Sequence, residues 1–137
     1  MRLDQFPNKA AAIEYLRTEV LKSPKGCASA KDAEKYLFKH LPKESYYQDK
    51  IIKFLKKAYP TAFVWKAAAG AYSRQGIPDV CAIINGQYYG FEVKRPFIGV
   101  LSKIQEQTIK QIREAGGVAA VVTFREEVQK IVEENML

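Results

Sequence analysis

Two apolar runs joined by Asn85-Gly86 constrain this chain more than any other feature. Val80-Cys81-Ala82-Ile83-Ile84 precedes the dipeptide, and a second run from Gln87 to Lys94 follows it. Asn-Gly between apolar runs is the strongest short-range signal of a tight hairpin turn. The pattern predicts antiparallel strands over 79–84 and 87–94. Residues two apart on a strand share a face, so Glu92 and Lys94 project together while Val93 points into the core. Pairing across the turn brings Asp79 beside Glu92. Two carboxylates and an ammonium on otherwise apolar strands suit a hard divalent cation and the activation of a water.

Other elements follow from periodicity and breakers. Helices are expected over 8–22, with Asn8 as N-cap, over 30–41, capped by Ser29, and over 43–58. Pro24, Pro42 and Pro60 end them. A strand covers 62–66, and a loop rich in Ala, Gly, Ser and Tyr leads to Pro78. Ser102 caps a helix to about Ala115, and Gly116-Gly117 stops it. Val118–Thr123 reads as a strand after a helical crossover, too apolar for an open sheet edge and so buried in the sheet or at a subunit interface. A last helix spans 126–134. From residue 43 the order is α-β-β-β-α-β-α, preceded by a helical extension over 1–43.

The chain has 137 residues, of which 47% are apolar, so one core-forming domain with an appendage is expected. No run of eighteen apolar residues indicates a membrane span, and Met1–Gln5 lacks the apolar segment of a signal peptide. Cys27 and Cys81 form no framework, and Cys81 reads as a small core residue. The expected setting is therefore intracellular, a reduced cytoplasm. The lone His40 has no partners that would make a zinc site.

The net charge of +7 favours a polyanionic partner. Between Lys50 and Arg113 stand eleven Lys or Arg and three acids, Asp79, Glu92 and Glu106. A basic stretch thus keeps acids almost only where a metal needs them, as a surface that binds and cuts phosphodiesters would. Lys53, Lys56 and Lys57, with Arg95 and Lys103, are candidate DNA contacts; the alternative for the helix lysines is a solvated face. Tyr72, Ser73 and Arg74, on the loop entering Asp79, are placed to touch backbone phosphates. Trp65 reads as core rather than as a platform for bases.

Phosphodiester hydrolysis needs a stronger nucleophile than water and a stabilised leaving alkoxide. Mg²⁺ or Mn²⁺ supplies both when held by oxygen ligands. Asp79, Glu92 and the Val93 carbonyl are the candidate ligands, with Lys94 orienting water or stabilising charge on the phosphorane. A plain salt bridge between Glu92 and Lys94 is the simpler explanation of Glu-x-Lys alone. The upstream Pro78-Asp79 and the intervening turn favour the catalytic one.

Pro78-Asp79 followed by Glu92-Val93-Lys94, in an α-β-β-β-α-β order, resembles the PD-(D/E)XK nuclease superfamily, and within it the virus-type replication-repair nuclease (VRR-NUC) domain. Glu44 and Gln48 match its helix glutamate and glutamine, and Ser73 to Asp79 matches Ser-x-x-Gly-x-Pro-Asp. Leu101, Ser102 and Gln105 match Leu-Ser-x-x-Gln, opening a helix that ends in glycine. The resemblance covers about residues 44–124 and divides the chain into an extension, 1–43, and a nuclease domain, 44–137. It implies an α/β restriction-endonuclease-like fold with a mixed central sheet flanked by helices. It also implies a metal-dependent DNA endonuclease acting in replication or repair. Glu44 would reach the metal directly or through water; without the family it reads as a helix N-terminal acid favoured by the dipole. Gln105 would touch the lysine, the water or the scissile phosphate. Stand-alone members imply a homodimer acting on branched DNA, such as a four-way (Holliday) junction. Other readings are a nuclease for flaps or linear duplex, a sequence-specific restriction enzyme, and a non-catalytic nucleic-acid-binding module on the same fold.

Overall fold

The computed structural model describes residues 2–67 and 74–136. Tyr72 and Ser73, two of the expected phosphate contacts, lie outside the described residues. The chain divides into two compact units, one formed by Met1–Lys43 with Arg95–Gly99, the other by Glu44–Lys94 with Val100–Leu137.

The first unit is helical. After a short turn at Leu3–Gln5, α1 runs over Lys9–Tyr15, and its last part, Leu16–Val20, widens so that Leu21 N–H bonds Leu16 O. α2 covers Ala30–His40. The predicted caps are present: Asn8 accepts from Ala11 N–H and Ser29 from Asp32 N–H. Ala12, Leu16, Ala33, Leu37 and Leu41 form a small core, and Phe97 and Ile98 pack on it. Arg95–Gly99, which the sequence places within the nuclease domain, therefore belongs to the helical unit. Arg95 explains why: its guanidinium donates to Phe38 O, Leu41 O and Pro42 O at 2.7–2.9 Å. These are carbonyls that a helix end leaves unpaired, and a cation there also meets the negative end of the dipole. Phe97 holds a positive φ of 67° as the segment turns. The expectation that Arg95 contacts DNA is corrected accordingly: this guanidinium fastens α2.

The second unit follows the predicted order. α3 spans Glu44–Ala58, and β1, β2 and β3 span Phe63–Lys66, Val80–Ile84 and Gln87–Val93. α4 (Lys103–Glu114), β4 (Val118–Val122) and α5 (Arg125–Asn135) complete it. The sheet order is β1-β2-β3-β4, antiparallel except for the parallel β3–β4 pair that the α4 crossover permits. The β2–β3 turn has Asn85 and Gly86 at φ 51° and 80°, as the dipeptide predicts. Even-numbered residues of β2 and odd-numbered residues of β3, from Val80 to Ile84 and Tyr89 to Val93, pack with Tyr47, Ile51 and Leu55 of α3 and Val128 and Val132 of α5. The opposite face carries Cys81, Gly90 and Glu92 and meets α4.

Two expectations change. Trp65 is half-buried on that opposite face, beside Phe63 and Tyr88 at 5.3 and 6.4 Å between ring centroids, outside the main core. β4 ends the sheet despite its apolar sequence. Ala119 and Val122 are buried, Val121 is 42% exposed, and Arg113 covers part of the edge by donating to Ala119 O at 2.9 Å.

Arg95→Ala is expected to cost about 2 kcal/mol, the scale of charge-assisted bonds to carbonyls left unpaired. Arg95→Lys recovers only part, because an ammonium lacks the planar fork. Urea titration, with hydrogen exchange at the end of α2, measures both; wild-type protection in Arg95→Ala would refute the capping role.

Candidate active site

Gly90 positions the site from beneath. A glycine inside a strand marks a close approach. A Cβ there would stand 2.8 Å from Pro78 Cγ, so the proline ring lies directly on the backbone of β3. Cys81, buried as predicted, does more than fill space: its thiol lies 3.5 Å from Pro78 O and accepts from Tyr88 O–H at 3.4 Å. Burial raises the thiol pKa, which keeps it a protonated donor at neutral pH. Upstream, Gly76 has φ 83°, and a Cβ there would fall 2.7 Å from Thr108 Oγ1 and 2.8 Å from Ile104 O. Only glycine lets this turn rest on α4. Arg74 reaches the same helix, donating to Gln111 at 2.8 Å while remaining exposed.

Asp79 follows Pro78 and reaches across the hairpin, where Oδ2 accepts from Val93 N–H at 2.9 Å. Glu92 is 1% exposed. Its Oε1 accepts from Gln105 Nε2 at 2.8 Å and lies 3.7 Å from Lys94 Nζ. Gln105 is fixed by its place in α4: its Oε1 accepts from Ser102 N–H at 3.0 Å, and Ser102 Oγ accepts from Gln105 N–H at 3.2 Å. The capping box thus sets which end of the amide faces Glu92. The sequence placed Gln105 against the lysine, the water or the phosphate; the structure puts it on the carboxylate.

Burial drives the Glu92 pKa up, to about 8; the adjacent Asp79 carboxyl adds to the shift by hydrogen bonding and charge, and Glu44 adds by charge. Lys94 opposes it. Glu92 and Lys94 do face each other as an ion pair, but at 3.7 Å and with side chains 1% and 15% exposed it is a buried, loose contact rather than a surface salt bridge. Glu44, at the start of α3, accepts from the buried Gln48 at 3.2 Å and acts on Glu92 through its charge. Among the described residues no three His, Cys, Asp or Glu side chains form a ready-made metal cluster.

The pair nonetheless fits a hard cation. With both carboxyls ionised, Glu92 Oε2 is buried and no donor reaches it, so only a proton shared with Asp79 or a cation can satisfy it. A buried unpaired carboxylate oxygen is costly, and a cation relieves that cost. The neighbouring donors are oxygens, which suit Mg²⁺ or Mn²⁺ rather than zinc. Mg²⁺ is characteristically held by one or two carboxylates with waters and phosphate oxygens completing the shell.

Of the expected DNA contacts, Lys53, Lys56, Lys57 and Lys103 are exposed. The sequence reading passed over Gly76, Gly90 and Thr108 as positioning residues. Their signals were a glycine within a strand and another just before Pro-Asp.

A solved VRR_NUC domain matches this chain at a TM-score of 0.55 and 24% identity, covering 66% of this chain and 94% of that one. The chain has the fold of that domain. The resemblance read from the motifs thus holds at the level of three-dimensional structure. No protein-family model matches the sequence, and no curated protein does. Among the described residues no helix is long and apolar enough to cross a membrane.

Glu92 ionises less readily folded than unfolded, so the folded metal-free protein holds more protons between the two pKa values. Its stability falls as pH rises from about 4.5 to about 8, by at most ~1.4 kcal/mol per unit from this group. Glu92→Gln should flatten that part of the curve and raise stability at pH 8, as read by denaturant midpoints in EDTA. Identical pH profiles would contradict the buried, protonated carboxyl.

Gly90→Ala forces Pro78 off β3 and displaces Asp79. A loss of about 1–3 kcal/mol is expected from overpacking. Mg²⁺ binding, followed by calorimetry, should weaken at least about tenfold; unchanged binding would show that the Pro78 contact does not position the site.

Proposed function

We propose that this chain is a divalent-metal-dependent DNA endonuclease. The observation that carries the reading is Glu92, buried beside Asp79 with one unpaired carboxylate oxygen, on a VRR-NUC fold. Asp79, Glu92 and the Val93 carbonyl would hold Mg²⁺ or Mn²⁺, with Glu44 acting from the outer shell. When bound, that ion supplies Lewis-acid polarisation of the phosphate and a hydroxide near neutral pH.

The residues of the chain have separate tasks. Gln105 and Val93 N–H hold the two carboxylates in place before any substrate arrives, which reduces reorganisation in the reaction. Lys94, 15% exposed, is placed to donate to a phosphate oxygen as negative charge grows there. Its loose 3.7 Å contact with Glu92 leaves the ammonium protons available. Arg74, Lys53, Lys56, Lys57 and Lys103 are proposed to bind phosphates, with Tyr72 and Ser73 on the same loop as Arg74. The resemblance supports branched DNA, such as a four-way junction, as substrate and a homodimer as the active form. Two sites related by a two-fold axis can nick two strands symmetrically.

The decisive assay is cleavage of four-way junctions, flaps and linear duplex in Mg²⁺ or Mn²⁺, with light scattering for assembly. Asp79→Ala, Glu92→Ala and Lys94→Ala should each lower the rate by at least about a hundredfold. The carboxylate variants should keep or tighten DNA binding, because repulsion with phosphate is removed. Wild-type cleavage in either carboxylate variant would overturn the site. Binding by the unmutated protein without cleavage of any substrate would make it a binding module. A monomer preferring flaps would move the substrate to asymmetric intermediates.

A further inference from the structure

Residues 1–43 hold nine Lys or Arg, Arg2, Lys9, Arg17, Lys22, Lys25, Lys31, Lys35, Lys39 and Lys43, against five acids. Three acids are taken up within it: Asp4 pairs with Arg2 at 2.7 Å, Glu34 with Lys9 at 2.9 Å and Glu14 with Arg17 at 3.0 Å. The compensated cations therefore precede α2. Lys31, Lys35 and Lys39, all exposed, make no ion pair among the described residues.

Their spacing is four residues, so they form one row along the outer side of α2. Lys43 continues the same interval beyond the helix end. Like charges at this spacing destabilise a helix by a few tenths of a kcal/mol per pair, so stability does not account for the row. Shallow grooves flank it on both sides. One is lined by Lys31, Glu34, Lys35, Phe38 and Lys39, the other by Leu21, Ala28, Asp32, Lys35, Tyr36 and Lys39. Phe38 is 43% exposed in the first, and Tyr36 stacks on His40 at 3.9 Å beside the second. Lys31 to Lys39 spans about 12 Å of helix, matching three to four nucleotide steps of one strand at about 3.4 Å each. Arg95 fastens the far end of α2, and Arg95 is joined by one peptide bond to Lys94 of the candidate site.

We propose that the lysine row of α2 is a second DNA-binding surface, which tracks the phosphate backbone of a double helix and gives the helical unit a role in substrate capture. It rests on the reading of the chain as acting on DNA, but not on the catalytic assignment. Contacts of this kind carry no base information, so they raise affinity for any duplex arm and make it salt-dependent.

The test uses the full chain in EDTA, where no cleavage occurs, and a fluorescent duplex of about 25 base pairs. Anisotropy gives the affinity between 50 and 200 mM salt. Lys31→Gln/Lys35→Gln/Lys39→Gln should lower the log–log salt slope by about 2–3 and weaken binding at least tenfold at 100 mM. A charge-matched control outside the row and the basic stretch between Lys50 and Arg113, Lys25→Gln/Arg125→Gln/Lys130→Gln, should lower the slope by less than about 1. Equal losses in the two variants would attribute the effect to net charge and overturn the surface, as would an unchanged slope in the first. A wild-type protein that binds in EDTA but never cuts in Mg²⁺ refutes the endonuclease reading and leaves the surface standing. Cleavage by a protein whose slope ignores the α2 lysines refutes the surface alone. Circular dichroism of the variants, exposed at every substituted position, confirms that binding is compared between folded proteins.

Discussion

An ionisable carboxyl buried on a middle strand governs the second unit. Glu92 sits on β3, between β2 and β4, where solvent cannot hydrate its charge. The surrounding structure answers that cost only in part. Gln105 satisfies one oxygen, Lys94 lends a distant positive charge, and Asp79 adds a second carboxyl rather than a cation. An arrangement that served stability alone would place an apolar residue there. A half-satisfied acidic pair is what the proposed metal-assisted chemistry would call for, on a chain with the fold of a VRR-NUC domain.

The elements around Glu92 are arranged to hold it and its partner still. The ring of Pro78 lies on Gly90, the thiol of Cys81 and hydroxyl of Tyr88 brace Pro78, and Asp79 is drawn across to Val93 N–H. The capping box of α4 aims Gln105, and Gly76 lets the entering turn press against Thr108 of the same helix. Helix initiation, strand register and site geometry thus depend on a shared set of residues. Rigid supporting contacts of this kind keep reacting groups near productive geometry.

Arg95 ties the helical unit to the chain that leaves β3. One residue after the Glu-Val-Lys motif, the chain leaves the strand and closes the end of α2 through three carbonyls. A unit that holds an exposed cationic row is thereby tied in sequence to the strand that holds the carboxylate.

The sequence determined the elements whose signals are local. Asn85-Gly86 specified the hairpin turn, and with it the register that sets Asp79 beside Glu92; Asn8, Ser29 and Ser102 specified helix starts. The motif spacing carried the fold through its resemblance to the VRR-NUC domain, a likeness present in three dimensions. Long-range contacts were not legible, because the residues concerned have several good partners and only packing selects one. Arg95 read as a phosphate contact yet fastens a helix more than fifty positions earlier. Gln105 read as touching the lysine, the water or the phosphate, and α4 sets its amide on Glu92; apolar β4 falls at an edge that Arg113 partly covers. Local sequence sets which conformations a segment prefers. Where a charged side chain ends, and whether water reaches it, depends on neighbours brought from elsewhere in the chain, which only the tertiary structure decided.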